Sequence, residues 1–362
     1  MRSGIRVVIA GGGTGGHLFP GIAVARELLA RVSSSVVTFA GTARGIESRV
    51  VPREGFELDT IRSGGLKGKA IADRLRGAAL IPLGLLDAWA LLSRRRPDLV
   101  IGVGGYSSGP VVLAAALRGI PTMLLEQNAV PGLTNRLLAR VVKAAAVTYD
   151  STREFFGATA FVSGNPVRAE FAGLVSRPAD GTPDVNLLVF GGSQGAHAIN
   201  VAMVEASGSL AGLEMPLRVV HQTGERDVEM VKAGYARTGL AAEVAPFLYD
   251  MGDRLAQADL VICRAGATTL AELTAAGKPS VLIPLPTATD DHQRRNAEAL
   301  AQAGAAEVLL QKDATGTALA QLVASLVRDG ARRARMGLAA RSLAKPDAAR
   351  VIVDRALELA GR

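Results

Sequence analysis

Short runs of β-branched and other apolar residues alternate along the chain with longer stretches rich in alanine and leucine. Residues 5–10, 36–40, 99–103, 122–125, 186–190, 218–222, 260–263 and 280–283 read as strands. Helix-like stretches lie between them, as at 20–30 and 267–276. Strand-helix alternation of this kind predicts an α/β fold built on doubly wound parallel sheets.

The opening of the pattern occurs twice. Val7-Val8-Ile9-Ala10 runs into Gly11-Gly12-Gly13-Thr14-Gly15-Gly16 and then a helix. Leu187-Leu188-Val189-Phe190 runs into Gly191-Gly192-Ser193-Gln194-Gly195-Ala196 and another helix. The two openings stand one domain's length apart, so two similar α/β domains in tandem are expected. The polar, Pro- and Gly-rich stretch Arg177-Pro178-Ala179-Asp180-Gly181-Thr182-Pro183 reads as linker, with Gly164-Asn165-Pro166-Val167-Arg168 in the interdomain turn. The expected division is an N-terminal domain over 1–163, a linker over 164–183, a C-terminal domain over 184–345, and a final helix over 346–362 packing back on the first domain. Pro346 suits the start of that helix. Ligands on such sheets bind beyond the carboxyl ends of the strands, here in the cleft between the domains.

Composition narrows the class of partner. Hydrophobic residues make up 49% of the 362, but aromatics only 4%. The core therefore rests on Ala, Val, Leu and Ile, as where helices pack closely on parallel strands. The single Cys263 excludes an intrachain disulfide and fits a reducing compartment. Neither a signal-peptide pattern nor a run of about 18 uninterrupted apolar residues is visible, so a soluble chain is expected. The formal charge of +8 suits phosphorylated ligands or a phospholipid surface. Nucleic acid is disfavoured, because aromatics for base stacking are scarce and no binding module for it is visible.

The first glycine loop matches the dinucleotide-binding spacing through Gly11, Gly13 and Gly16. That reading needs an acid at the end of the next strand to hold a ribose, and the strand ends Phe39-Ala40-Gly41-Thr42 instead. A nicotinamide dehydrogenase is thereby disfavoured. What remains is a turn at a helix N-terminus suited to a phosphate or diphosphate, or a turn needing small residues for packing. His17 follows directly. Its imidazole suits removal of a proton from an acceptor hydroxyl, binding of phosphate as a cation, or capping of the helix. Gly104-Gly105-Tyr106 follows the strand 99–103 and offers backbone donors to a second phosphate or an acceptor sugar. Glu126-Gln127-Asn128 follows the strand 122–125; Glu126 either orients His17 or an acceptor hydroxyl, or forms a turn.

In the second half, Arg264-Ala265-Gly266-Ala267-Thr268-Thr269-Leu270-Ala271-Glu272 follows the strand 260–263. Its small residues and Thr268 open a helix whose free N–H groups suit a diphosphate. Glu272, one turn in, reads as an acceptor for both ribose hydroxyls or as an ordinary exposed helix glutamate. Within Asp290-Asp291-His292-Gln293, Gln293 is placed to read sugar hydroxyls and His292 to border the same site. No further ligands accompany Asp290 and Asp291, which read as helix-start charges rather than a metal site. His197 and His221 read as structural.

Residues 67–89 set Lys67, Lys69, Arg74 and Arg76 among Ile71, Leu75, Leu80, Ile81, Leu83, Leu85, Leu86 and the only tryptophan, Trp89; Arg94-Arg95-Arg96 closes the segment. Bases among apolar groups suit a helix lying on an anionic bilayer, and core packing of the leucines is the other reading.

The ordered set Gly12-Gly13-Thr14-Gly15-Gly16-His17, Gly104-Gly105-Tyr106, Glu126-Gln127-Asn128, Gly164-Asn165-Pro166-Val167-Arg168, Gly191-Gly192-Ser193-Gln194-Gly195-Ala196, Glu272 and Asp291-His292-Gln293 resembles the MurG family of peptidoglycan glycosyltransferases over almost the whole chain. The resemblance implies a GT-B fold, two Rossmann-like doubly wound domains facing each other across a cleft. It implies an inverting hexosyltransferase that needs neither metal nor cofactor. N-acetylglucosamine (GlcNAc) would pass from UDP-GlcNAc to the C4 hydroxyl of lipid I, undecaprenyl-diphospho-MurNAc-pentapeptide, forming lipid II.

Carried over by position, His17 resembles the general base, with Glu126 nearby. Thr14, Gly15, Gly16 and Asn128 would meet the GlcNAc. Arg168, Ser193, Leu248 by its backbone, Ala267, Thr268, Thr269, Leu270, Ala271, Glu272 and Gln293 would hold UDP. Gly13, Gly104, Gly105 and Tyr106 would receive the acceptor, with its diphosphate on these glycine loops. Lys67, Lys69, Ile71, Arg74, Leu75 and Trp89 would dock on anionic inner-leaflet phospholipid. That implies a peripheral location on the cytoplasmic face of the plasma membrane, with cell-wall and division proteins as candidate partners. Ala265 departs from the serine usual in the family, which removes one hydroxyl near a phosphate. The remaining readings of the fold are a glycosyltransferase for another lipid or natural-product acceptor, a UDP-sugar epimerase, and a non-catalytic binder such as a lipid-carrier scaffold.

Overall fold

The computed structural model describes residues 4–64, 71–168, 171, 184–192, 195–288 and 291–362, and for 71–79 the backbone alone. The chain forms two compact units, Met1–Ala169 with Lys345–Arg362, and Glu170–Ala344.

The first unit holds strands β1 (Arg6–Gly11), β2 (Val36–Gly41), β3 (Glu57–Thr60), β4 (Leu99–Gly104), β5 (Thr122–Glu126), β6 (Ala144–Val147) and β7 (Ala160–Val162). Its helices are α1 (Gly15–Arg31), α2 (Glu47–Arg53), α3 (Ile71–Arg95), α4 (Ser108–Leu117) and α5 (Leu133–Leu138). The strands run parallel in the order β3-β2-β1-β4-β5-β6-β7. The order reverses between β1 and β4, which opens a crevice beyond their carboxyl ends. There the register slips at Ala10/Gly11, and Gly11 comes to face Gly104.

Both sheet faces are covered, as the unbroken apolar strands require. Leu99, Ile101 and Val103 join one core cluster, whereas Val100 between them joins the other. The former cluster includes Ile352, Val353, Ala356 and Leu357 of the last helix, packed with Leu28 of α1. Arg31 and Asp354 pair across that contact at 2.6 Å.

The second unit holds β8 (Val185–Phe190), β9 (Leu217–Gln222), β10 (Ala242–Ala245), β11 (Leu260–Cys263), β12 (Ser280–Leu282) and β13 (Ala306–Val308). Helices α6 (His197–Ala211), α7 (Val228–Thr238), α8 (Met251–Gln257), α9 (Ala267–Ala276), α10 (His292–Gln302), α11 (Gly316–Arg328) and α12 (Gly330–Ser342) belong to it, while α13 (Ala348–Leu359) is the last helix of the first unit. Its parallel order is β10-β9-β8-β11-β12-β13.

The sequence pattern missed β3, β6, β7, β10 and β13. Strand β6 is Ala144-Ala145-Ala146-Val147, and alanine favours helices. Complete burial of all four side chains between neighbouring strands and helices overrides that preference. The others are edge or three-residue strands, too short for a pattern.

Candidate functional site

In the first unit the loops after β1 and β4 touch backbone to backbone. The Gly12 N–H donates to the Gly104 carbonyl at 3.4 Å. Gly104 has φ +95°, and a Cβ there would stand 2.9 Å from Cδ2 of the His17 ring. Glycine at 104 therefore makes room for the imidazole. His17 is half-buried, and its Nδ1 lies 3.3 Å from the Thr14 hydroxyl. Tyr106 is exposed and its carbonyl accepts from the Ser63 hydroxyl at 2.9 Å. Arg168 stacks its guanidinium 4.7 Å over the Phe19 ring of α1.

Glu47 was not singled out by the sequence. It opens α2 and is 1% exposed. Its Oε2 accepts from the Gly13 N–H at 2.8 Å, and its Oε1 accepts from both the N–H and the hydroxyl of Thr42 at 2.8 Å. Burial pushes the carboxyl up, but the bonds from Gly13 and Thr42 outweigh it and hold the group below the ordinary carboxylate range. An acid thus does stand at the end of β2, although the strand itself supplies none. It ties the glycine turn, and the Gly13 N–H is engaged within the chain.

Glu126, at the end of β5, is also buried. Oε1 accepts from the backbone and side-chain N–H of Asn128 at 3.0 and 3.1 Å; Oε2 accepts from Gly132 N at 3.0 Å and Asn135 Nδ2 at 2.9 Å. Burial raises its pKa, and these bonds offset that only in part. The carboxylate organises the loop that presents Asn128.

In the second unit Ser193 lies outside the described residues, as does Asp290. Gly192 and Gly195 take φ +99° and +74° on either side. Helix α9 starts at Ala267 behind an extended Gly266, and Thr268 and Leu270 are buried while Thr269 and Ala271 are partly exposed. Glu272 is buried rather than exposed on the helix surface, at 7%. The Gln293 Oε1 accepts from Ala265 N at 3.2 Å and Leu285 N at 3.0 Å, so it bridges the ends of β11 and β12. Its Nε2 makes no bond within the described residues. The Leu248 N–H donates to Gln222 Oε1 at 3.0 Å.

His221 is wholly buried in a polar chain. Asn200 Nδ2 donates to the Thr223 carbonyl at 2.9 Å and to Asp227 at 2.8 Å, so its Oδ1 accepts from His221 Nε2 at 3.0 Å. Nε2 then carries the proton, and Nδ1 accepts from the Tyr235 hydroxyl at 2.7 Å. Burial pushes the His221 pKa down to about 3, so the ring is neutral. His197 pairs with Asp227 at 2.9 Å. His292 lies at the first residue of α10, beside Gln293.

On α3, Ala88, Leu91 and Leu92 face the core, whereas Ile81, Leu83, Leu86 and Trp89 are exposed. The Arg118 guanidinium lies 5.1 Å over the Trp89 ring. Leu117 of α4 and Leu133 and Leu137 of α5 are exposed as well. Arg94 and Arg95 spend their charge on Asp59, both at 2.7 Å. Lys67 and Lys69 lie outside the described residues, as do the side chains of Ile71, Arg74 and Leu75. Among the described residues no cluster of His, Cys, Asp and Glu suits a metal ion.

Residues 7–147 match the glycosyltransferase family 28 N-terminal domain, and residues 186–352 match the glycosyltransferase family 28 C-terminal domain. These are the halves of a GT-B fold. The crystal structure of Acinetobacter baumannii MurG is 35% identical with a TM-score of 0.81, covering 98% of this chain and 99% of that one. The UDP-N-acetylglucosamine--N-acetylmuramyl-(pentapeptide) pyrophosphoryl-undecaprenol N-acetylglucosamine transferase of Anaeromyxobacter sp. (strain K) is 49% identical over 359 residues, 99% of this chain and 94% of the relative. The protein of that name from Myxococcus xanthus is 48% identical over 356 residues, 98% and 93% of the two chains. The chain belongs to glycosyltransferase family 28 and, within it, to the MurG family.

Proposed function

We propose that the chain transfers GlcNAc from UDP-GlcNAc to lipid I, forming lipid II for peptidoglycan synthesis, with inversion and without a metal. The observation that carries this reading is 49% identity over 99% of the chain to a relative whose name states that transfer. The acceptor C4 hydroxyl attacks the anomeric carbon, and its proton passes to the His17 imidazole. The bond from that carbon to the β-phosphate oxygen breaks, and its electron pair leaves on UDP. Thr14 orients the imidazole, and Gly104 gives it room.

The charge on departing UDP meets the free N–H groups at the starts of α6 and α9. Ser193 and Arg168 supplement them, and Ala267, Thr268, Thr269, Leu270 and Ala271 shape the phosphate site. Glu272 accepts from the ribose hydroxyls, Leu248 meets the base, and Gln293 Nε2 donates to the GlcNAc. Glu126 is a positioning residue that acts through Asn128. Gly105 and Tyr106 line the acceptor side.

The exposed Ile81, Leu83, Leu86 and Trp89 support peripheral docking on anionic phospholipid at the cytoplasmic face, together with Lys67, Lys69, Ile71, Arg74 and Leu75. No helix among the described residues is long and apolar enough to cross a membrane. The test is UDP release from UDP-GlcNAc with and without a short-chain lipid I analogue. Acceptor-dependent release with a disaccharide product is expected. Release without acceptor, or none at all, would overturn the assignment.

A further inference from the structure

Gln222 closes β9 and is 2% exposed. Its Nε2 donates to the Gly192 carbonyl at 2.7 Å, and its Oε1 accepts from Leu248 N–H at 3.0 Å. The Gly192 carbonyl also accepts from Gly195 N–H at 2.9 Å. The Gly192 carbonyl, ahead of α6, is thus held both by backbone and by this side chain. One buried amide joins two loops, β8 to α6 and β10 to α8, that no strand pairing connects directly. Gly192 sits at φ +99°, so its peptide depends on neighbours for its orientation.

The geometry points to Gln222 as a positioning residue for the nucleoside diphosphate, setting the loop that meets the phosphates against the loop that meets the base without touching the ligand. This rests on the UDP site described under Proposed function. An amide is required because one of its ends must donate while the other accepts. A carboxylate fills the same space but presents a second acceptor to the Gly192 carbonyl; protonated, it donates again. Gln222→Glu therefore turns the tie into one that forms only in acid.

The experiment titrates UDP calorimetrically from pH 5.5 to 8.5 into wild type, Gln222→Glu, Gln222→Ala and Glu272→Ala, alongside thermal melts. Gln222→Ala is expected to weaken UDP about tenfold at every pH, the worth of a lost hydrogen-bond pair. Gln222→Glu is expected to match that loss at pH 8.5 and to recover toward wild type on acidification, with the KM for the lipid I analogue unchanged. A merely structural role lowers the melting temperature without that recovery. Wild-type affinity in Gln222→Glu at pH 8.5, or a pH dependence no different from wild type, overturns the inference. The glutamate variant keeps the shape of the side chain, so the test stands even where the alanine variant fails to fold. Failure of the wild type to bind UDP, with Glu272→Ala equally silent, overturns the UDP site itself and this inference with it. The two failures differ in whether the wild type binds.

Discussion

The two glycine turns begin alike in sequence and are tied by opposite chemistry. Beneath the first lies a carboxylate, Glu47, which takes up the Gly13 N–H. Beneath the second lies a neutral amide, Gln222, which takes up the Gly192 carbonyl. The first tie removes a donor from the turn and adds negative charge; the second removes an acceptor and adds none. Two like charges about 6 Å apart repel by roughly 3 kcal/mol at the effective dielectric of a protein surface. A neutral hydrogen bond returns only about 1 kcal/mol. The charge behind the first turn weighs against the acceptor diphosphate that the sequence sets on Gly13 and its neighbours, whereas the neutral amide behind the second turn adds no such penalty for the UDP proposed there. The same G-rich spelling is tied from behind by a charged group in one unit and by a neutral one in the other.

The comparison breaks first at His17. If the first unit supplies the base, His17→Ala cuts turnover roughly 10²–10⁴-fold while UDP affinity stays at its wild-type value. Steady-state UDP release with the lipid I analogue and calorimetry with UDP check the two halves of that expectation. Near-normal turnover would remove the base from this turn.

Glu47→Ala and Glu272→Ala sharpen it, because they should fail in opposite ways. Removing Glu47 takes the acceptor from the part-buried N–H bonds of Gly13 and Thr42, an expected cost of about 1–3 kcal/mol in denaturant unfolding. Turnover should fall as the turn loosens, with UDP affinity intact. Glu272→Ala should instead raise the KM for UDP-GlcNAc about tenfold and leave the acceptor KM alone. Loss of UDP affinity in the Glu47 variant would mean that the two turns are not separate in function.

Much of this was legible in the chain, for identifiable reasons. Parallel strands buried on both faces leave unbroken apolar runs, so β4, β5, β8 and β11 were plain. Glycine spacing marked both turns. Glu47 escaped because its partner Gly13 lies 34 residues away, and only the β1–β2 pairing brings them together. Gln222 was marked only as the last residue of the strand 218–222; its reach to two loops depends on β9 lying between β8 and β10. For Glu272 the sequence left two readings, and its burial removes that of an ordinary exposed helix glutamate. It stands one turn after Thr268, and both fall on the buried side of α9.

The smallest expected effect separates the two units by acid. His221, in the second unit, has its folded-state pKa depressed to about 3 against an ordinary value of 6.5. Below 6.5 the unfolded chain takes up a proton that the folded one refuses, so stability is lost as pH falls from 6.5 toward 3. The cost approaches about 1.4 kcal/mol for each pH unit well inside that window. Glu47, in the first unit, also has a lowered pKa, but its contribution persists until the carboxylate range is reached. Between pH 6.5 and 5 the acid loss should therefore belong to the second unit. Denaturant unfolding at pH 7 and pH 5 checks this, with His221→Gln as the comparison. Glutamine offers Asn200 and Tyr235 a donor and an acceptor without titrating, so its variant should keep more of its pH 7 stability at pH 5 than wild type does. Equal acid losses in the two proteins would assign the loss to another group and remove His221 from the account.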